Sequence, residues 1–265
     1  MAPPAPSAGS AALITGASAG IGTDLARELA QRGHNLVLVA RRKDKLDALA
    51  AELRSDSVRI ETLDCDLTDP AALAALPGRV AALGLRVDVL VNNAGYGTAG
   101  AYETLDGAVE ARMVRLNCEA PVALTSAYAA AMVERGEGAI LNVASSAGFQ
   151  PIPLQATYAA TKAFMLNWSD ALNAEFGPKG VTVTALCPGP VDTEFAEVAG
   201  LEEMFDNAPG IAKVSAEEVA RQAISGLEKG HRNVVPGLAI RVAVTAGRFT
   251  PRSLLLPTMR RFYRV

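Results

Sequence analysis

At 265 residues, 50% hydrophobic and 20% charged, the chain is long enough for one large domain burying roughly 75% of its unfolded surface. Its 25 basic and 28 acidic side chains leave a net charge of −3, without the concentrated positive charge of a nucleic-acid binder. No apolar run reaches the roughly 18 residues of a membrane span, Met1–Ser10 lacks the basic and apolar regions of a secretion signal, and Cys65, Cys118 and Cys187 have no metal-ligand spacing. A cytoplasmic protein with no metal and no nucleic-acid partner is therefore expected.

Residues 1–10, rich in Pro, Ala, Ser and Gly, read as a flexible amino arm. Short apolar runs then alternate with longer helical stretches. Strands are predicted at Ala11–Thr15, Asn35–Ala40, Val58–Leu63, Val87–Val91, Ala139–Ala144, Val181–Cys187 and, more briefly, Arg232–Val235. They lack period-two alternation, as strands covered on both faces do. Helices are predicted at Ile21–Arg32, Lys43–Arg54, Ala71–Leu83, Leu105–Glu134, Thr157–Phe176 and Ala216–Glu228. This alternation implies right-handed crossovers: an α/β fold, a doubly wound Rossmann-type parallel sheet of about seven strands in a single domain over 11–235. Residues 195–213 have no clear period and read as a substrate loop. From Gly230 onward there are seven arginines and no carboxylate side chain, so 236–265 is a basic extension packed on or beside the domain.

The first strand runs into Thr15-Gly16-Ala17-Ser18-Ala19-Gly20-Ile21-Gly22. Gly16, Gly20 and Gly22 allow a tight turn that brings backbone up to a pyrophosphate seated on a helix amino end, beside Ser18 and Ile21. No lysine follows the last glycine, which excludes the ATP-binding loop. Where the second strand should meet the adenosine ribose stand Arg41, Arg42 and Lys43, with no carboxylate. An acid there would bond a free 2′-hydroxyl, whereas Arg41 suits a 2′-phosphate, so NADP(H) is favoured over NAD(H).

Tyr158 and Lys162 lie one helical turn apart, about 5–6 Å between Cβ atoms. An ammonium beside a phenol favours the phenolate and would draw the Tyr158 pKa toward neutrality, where it serves as acid and base. Ser145, past the fifth strand, stands at the carboxyl edge where open α/β sheets bind ligands, and its hydroxyl suits a carbonyl oxygen gaining negative charge. Ser146 is its alternative. With only His34 and His231 present, both away from that edge, a Ser-His-Asp hydrolase is disfavoured.

In order and spacing, Thr15-Gly-x-x-x-Gly-x-Gly22, Asn92-Asn-Ala-Gly95, Asn117, Ser145, Tyr158-x-x-x-Lys162 and Pro188-Gly189 resemble the short-chain dehydrogenase/reductase family in its compact form, over about Ala11 to Val235. The resemblance implies a nicotinamide cofactor and an oxidoreductase acting on a carbonyl or alcohol. Tyr158 would exchange the proton, Lys162 lower its pKa and hold the nicotinamide ribose, Ser145 hold the substrate oxygen, and Asn117 position a water. Asp66 (alternatively Asp64) and Leu67 match the adenine-contacting pair, Asn93 and Gly95 the segment lining the cofactor, and Pro188, Gly189, Val191 and Thr193 the segment at the carboxamide. It also implies a homodimer or homotetramer.

Substrate contacts are sought at Tyr96, at Phe149 and Gln155, and at Phe195 with Met204 and Phe205. They are mostly apolar, which points to a lipophilic carbonyl or secondary alcohol. The arginines and apolar residues of 248–264 read either as a terminal helix docked on the domain or as a basic amphipathic end. The second form would make peripheral contact with an anionic membrane, or with the phosphates of a carrier-linked substrate. Two rival functions are an isomerase, epimerase or dehydratase using the same Tyr-Lys pair, and a non-catalytic nucleotide-binding or membrane-surface protein. The first would need a separate substrate domain that this length does not leave room for. The second would not need the complete Asn-Ser-Tyr-Lys set.

Overall fold

The computed structural model describes residues 3–200 and 213–263. Seven strands form one parallel sheet: β1 (Ser10–Thr15), β2 (Asn35–Ala40), β3 (Ile60–Asp64), β4 (Arg86–Asn92), β5 (Gly138–Val143), β6 (Val181–Leu186) and the short β7 (Asn233–Val234). Their order is β3-β2-β1-β4-β5-β6-β7. The first three strands progress one way from β1 and the rest the other way from β4. A doubly wound sheet opens a crevice at that reversal, outside the carboxyl ends of its strands.

Every residue of β1, β2, β5 and β6 is buried, which explains the missing alternation: both faces are covered. Successive side chains still point to opposite faces. Ala12, Ile14, Leu36 and Leu38 pack with Leu25 and Leu29 of α1 (Ile21–Gln31), Leu46 of α2 (Lys43–Leu53) and Ile224 and Leu227 of α8 (Ala216–Glu228). Leu13, Val37, Val39 and Leu90 pack the other way, against Leu73 and Leu76 of α3 (Pro70–Ala81) and Leu124 and Met132 of α5 (Ala120–Arg135). Local chemistry sets the ends. Asp69 accepts from the amides of Ala71 and Ala72 with Pro70 in the first turn of α3, and Ser215 caps α8 through the amide of Glu218.

Two differences from the sequence expectation concern the site. The stretch 105–134 is not one regular helix. After a 3-10 turn at Tyr102–Thr104, it comprises α4 (Gly107–Val114), a π-helical segment at Arg115–Glu119 and then α5. A π segment adds one residue to a turn and re-aims its side chains; here it carries Asn117, which is buried. At the amino end, Ser10 already belongs to β1, and the Asn35 side chain donates to the carbonyls of Ser7 and Ser10 at 3.0 and 2.9 Å.

Helix α6 (Ala156–Phe176) carries Tyr158 and Lys162 and is fixed by buried polar bonds. Asn92 of β4 donates to Asn142 of β5 at 2.8 Å, Asn142 donates to Ser169 at 2.9 Å, and Ser169 donates to the carbonyl of Met165. Buried networks of this kind specify one register, because a shifted partner would leave an unpaired polar group.

Candidate active site

The crevice at the β1/β4 reversal is a cleft of about 850 Å³. Its floor is the glycine turn. Gly16 takes φ 66° and Gly20 φ 57°, left-handed conformations that a side chain disfavours. The Asn93 amide donates to the carbonyls of Thr15 and Gly16 at 2.8 and 3.1 Å, locking the turn to the end of β4. No side chain caps the amino end of α1, which faces the cleft through Gly16, Ser18, Gly20 and Ile21. Uncapped helical amides at a glycine turn fit a pyrophosphate. Gly22 does not line the cleft. A Cβ there would overlap the Gly16 carbonyl and the Asn93 amide, so this third glycine serves the packing of helix on turn.

Of the other expected cofactor positions, Arg41, Asp66, Leu67, Asn93, Gly95, Pro188, Gly189, Val191 and Thr193 all line the cleft. Arg41 is exposed and has no hydrogen bond or ion pair to any described residue. Sequence reasoning missed Arg112 on α4, which donates to Thr68 at 2.9 Å and pairs with Asp66 at 2.6 Å. Only the fold brings that helix over the end of β3; no motif marks it.

The reacting groups meet at the middle of the cleft. Ser145, just past β5, accepts from the amide of Ala147 at 3.1 Å and hydrogen-bonds the Tyr158 phenol. The Lys162 ammonium donates to the carbonyl of Val143 at 2.8 Å and lies 5.7 Å from the centre of the Tyr158 ring. Burial pushes the phenol up to about 12, with the Ser145 bond acting in the opposite direction. Burial likewise pushes the Lys162 ammonium down to about 8. The expectation that Lys162 draws Tyr158 toward neutrality is therefore not met in this structure. Both groups are desolvated, and the lysine head is held by a backbone carbonyl rather than by the phenol oxygen.

Asn117 does not face the cleft either. Its side-chain oxygen accepts from the Tyr96 amide, and both its amide hydrogens are committed, to the Tyr96 carbonyl at 3.0 Å and the Thr161 hydroxyl at 3.1 Å. It braces the chain after β4 against α6.

Among the expected substrate residues, Tyr96, Gln155 and Phe195 line the cleft. Phe195, on α7 (Glu194–Ala199), lies against the Tyr158 ring, with centroids 5.5 Å apart and planes tilted by 47°. Phe149 does not belong here: it packs behind Ser145 with Met165, Leu166 and Trp168, because the 3-10 turn at Ser146–Phe149 points it away. Met204 and Phe205 lie outside the described residues. Leu154, immediately before Gln155, holds φ 64°, a strained conformation for a branched residue beside a site.

The largest addition is the cleft's outer wall. The extension forms α9 (Leu238–Phe249) and α10 (Arg252–Phe262), and Ile240, Val244, Gly247, Leu255, Met259 and Tyr263 line the same cleft as Tyr158. Ile240 sits on Gly189 so closely that a Cβ there would meet it at 2.7 Å. Tyr263 joins Tyr96 and Phe195 around the cluster that contains Tyr158. The spacing 240, 244, 247 is one helical face, a signal present in the sequence but not assignable to a partner surface from it.

Comparison with known proteins agrees with this geometry. The family profile described as short chain dehydrogenase matches residues 10–203. The chain belongs to that family. Among solved structures, a short-chain dehydrogenase from Sphingobium yanoikuyae in complex with NADPH superposes with TM-score 0.81 at 38% identity, covering 94% of this chain and 95% of that one. A bulky-bulky ketone specific alcohol dehydrogenase from Comamonas testosteroni gives TM-score 0.76 at 35% identity, covering 94% of each. The very-long-chain 3-oxoacyl-CoA reductase of Bos taurus is 36% identical over 198 residues, 71% of this chain, and this short-chain dehydrogenase spans only 61% of that relative's length. Among the described residues no helix is long and apolar enough to cross a membrane, and no cluster of metal-ligating side chains occurs.

Proposed function

We propose that the protein is an NADPH-dependent reductase of lipophilic ketones carrying bulk on both sides of the carbonyl. The observation that carries this is the apolar wall that α9 and α10 add to the cleft holding Tyr158 and Ser145. When bound, the nicotinamide supplies the hydride. The Ser145 hydroxyl donates a hydrogen bond to the substrate oxygen as charge builds there. The Tyr158 phenol, kept protonated by burial, gives its proton to that oxygen, so ketone plus hydride plus proton yields the alcohol. At neutral pH the phenol is in the form that donates this proton. Lys162, which lines the cleft beside the phenol, would hold the nicotinamide ribose. The arginines at the end of β2 and the NADPH-bound neighbour support NADPH over NADH.

The test is NADPH consumption with aryl ketones bearing two large substituents, with 3-oxoacyl thioesters as a second arm and polyols or sugars as a third. The expected result is turnover of bulky ketones at kcat/KM at least about tenfold above the polar set, a difference of about 1.4 kcal/mol. Faster turnover of the thioesters would move the substrate class toward that of the bovine relative, and no NADPH consumption with any carbonyl would sink the reading.

The outer face of the extension supports peripheral contact with an anionic bilayer. Leu238, Val242, Phe249 and Leu256 are exposed there among Arg241, Arg248, Arg252 and Arg261, the composition of an interfacial helix pair. Sedimentation with phosphatidylglycerol vesicles at low salt is expected, and its loss in a Leu238→Asp/Phe249→Asp protein. A wild-type protein that stays in the supernatant removes this part.

A further inference from the structure

The cleft end nearest α2 holds an ion-pair cluster that the reaction does not use. Arg42, at the end of β2, and Lys45, in the first turn of α2, both grip the carboxylate of Glu194, at 2.8 Å (Nη1 to Oε2) and 2.6 Å (Nζ to Oε1). Arg42 also donates to the Ser18 hydroxyl through Nε at 3.3 Å and Nη2 at 3.2 Å. Ser18 belongs to the glycine turn, whereas Glu194 opens α7 and is remote in sequence. A guanidinium and an ammonium on one oxyanion, with the guanidinium held in place by a hydroxyl of the glycine turn, is chemistry that also suits a phosphate monoester. In this protein the oxyanion is supplied by its own chain.

We propose that Glu194 occupies the subsite for the 2′-phosphate of NADPH, and that Arg42 and Lys45 exchange its carboxylate for that phosphate when the cofactor binds. This rests on the NADPH reading above. A phosphate monoester carries about −1.5 to −2 charges at neutral pH, so it and the Glu194 carboxylate cannot share two cations without repulsion. Glu194 therefore tunes the discrimination between NADPH and NADH by competing with the phosphate and not with the 2′-hydroxyl. Arg41, which lines the cleft without such a partner, stays available to the same phosphate. The three side chains are 42–44% exposed, so solvent and salt screen the pairs and the competition is worth a modest factor.

Adenosine 2′,5′-bisphosphate and 5′-AMP differ only by the 2′-phosphate and carry no nicotinamide, so calorimetry with both reads the subsite without turnover. The wild type is expected to prefer the bisphosphate. Glu194→Gln should tighten the bisphosphate by about three- to tenfold and leave 5′-AMP unchanged, with the gain shrinking at high salt. Arg42→Ala should lose the wild-type preference. If Glu194→Gln leaves bisphosphate binding unchanged or weaker while the wild-type preference stands, the role of Glu194 is overturned and the NADPH reading survives. If the wild type binds both nucleotides equally, both are overturned together. Unaltered thermal midpoints of these surface variants exclude misfolding as the cause.

Discussion

Replacing Tyr158 by Phe is expected to lower kcat for ketone reduction by about 10²- to 10⁴-fold, the span ordinarily lost with a positioned proton donor. The ring is retained, and with it the packing against Met113, Ala147, Ile152 and Phe195. Thermal stability and nucleotide affinity should therefore stay close to wild type, although the Ser145 hydroxyl loses one partner. Steady-state kinetics with a saturating bulky ketone, alongside calorimetry with NADPH, checks both halves. A Tyr158→Phe enzyme retaining most of its kcat would mean that the proton comes from elsewhere. The non-catalytic reading would gain if the wild type also showed no turnover. A loss in KM alone would assign the phenol to binding rather than to proton transfer.

The Gly22→Ala substitution adds one methyl group and is expected to do damage at a distance from any ligand. The added Cβ meets the Gly16 carbonyl and the Asn93 amide, and neither can swing aside. The carbonyl is backbone in a left-handed turn, and the amide is bonded to Thr15 and Gly16. Relief requires α1 to move off the turn. Overpacking of this kind costs about 1–3 kcal/mol, or a fall of about 2–12 °C in Tm for a domain of this size. The displaced turn should also weaken NADPH by tenfold or more, because the helix amides no longer converge. Thermal melts and calorimetry measure the two effects. Wild-type affinity in a destabilised protein would show that the turn tolerates the shift and that Gly22 matters to folding alone.

Much of the architecture was legible because it rests on local or periodic signals. Fully apolar runs such as Leu36–Ala40 mark strands covered on both faces, and Ile21, Lys43 and Ala216 open helices where the composition changes. The spacing of Tyr158 and Lys162 on one helical face, and of Ser145 at a strand end, also survived folding, since each depends on a single element and its place at the sheet's carboxyl edge. What the sequence left open depended on the meeting of elements. The π segment around Asn117 leaves no composition mark, and it commits the Asn117 amide to Tyr96 and Thr161. Phe149 carries the same aromatic signal as Phe195, yet a 3-10 turn sends one behind the sheet edge and leaves the other over the phenol. The effect of Lys162 on Tyr158 was reasoned from proximity alone. Desolvation, a property of everything packed around the pair, is the larger influence.

By itself the sequence determined the family, the doubly wound sheet, the glycine turn and the Ser-Tyr-Lys set, because short-range geometry and a fixed order of motifs specify them. Tertiary structure alone decided which apolar residues face the cleft and which charges face one another. The tail's Ile240, Val244 and Met259 became a cleft wall only when α9 docked on Gly189, and Arg112 reached Asp66 only across two elements. Arg42, Lys45 and Glu194, far apart in the chain, formed one anion-holding corner only when α7 folded back over the end of β2. Such contacts depend on where helices come to rest on the sheet. Side-chain spacing carries no record of that, because the burial free energy that places them is summed over the whole core.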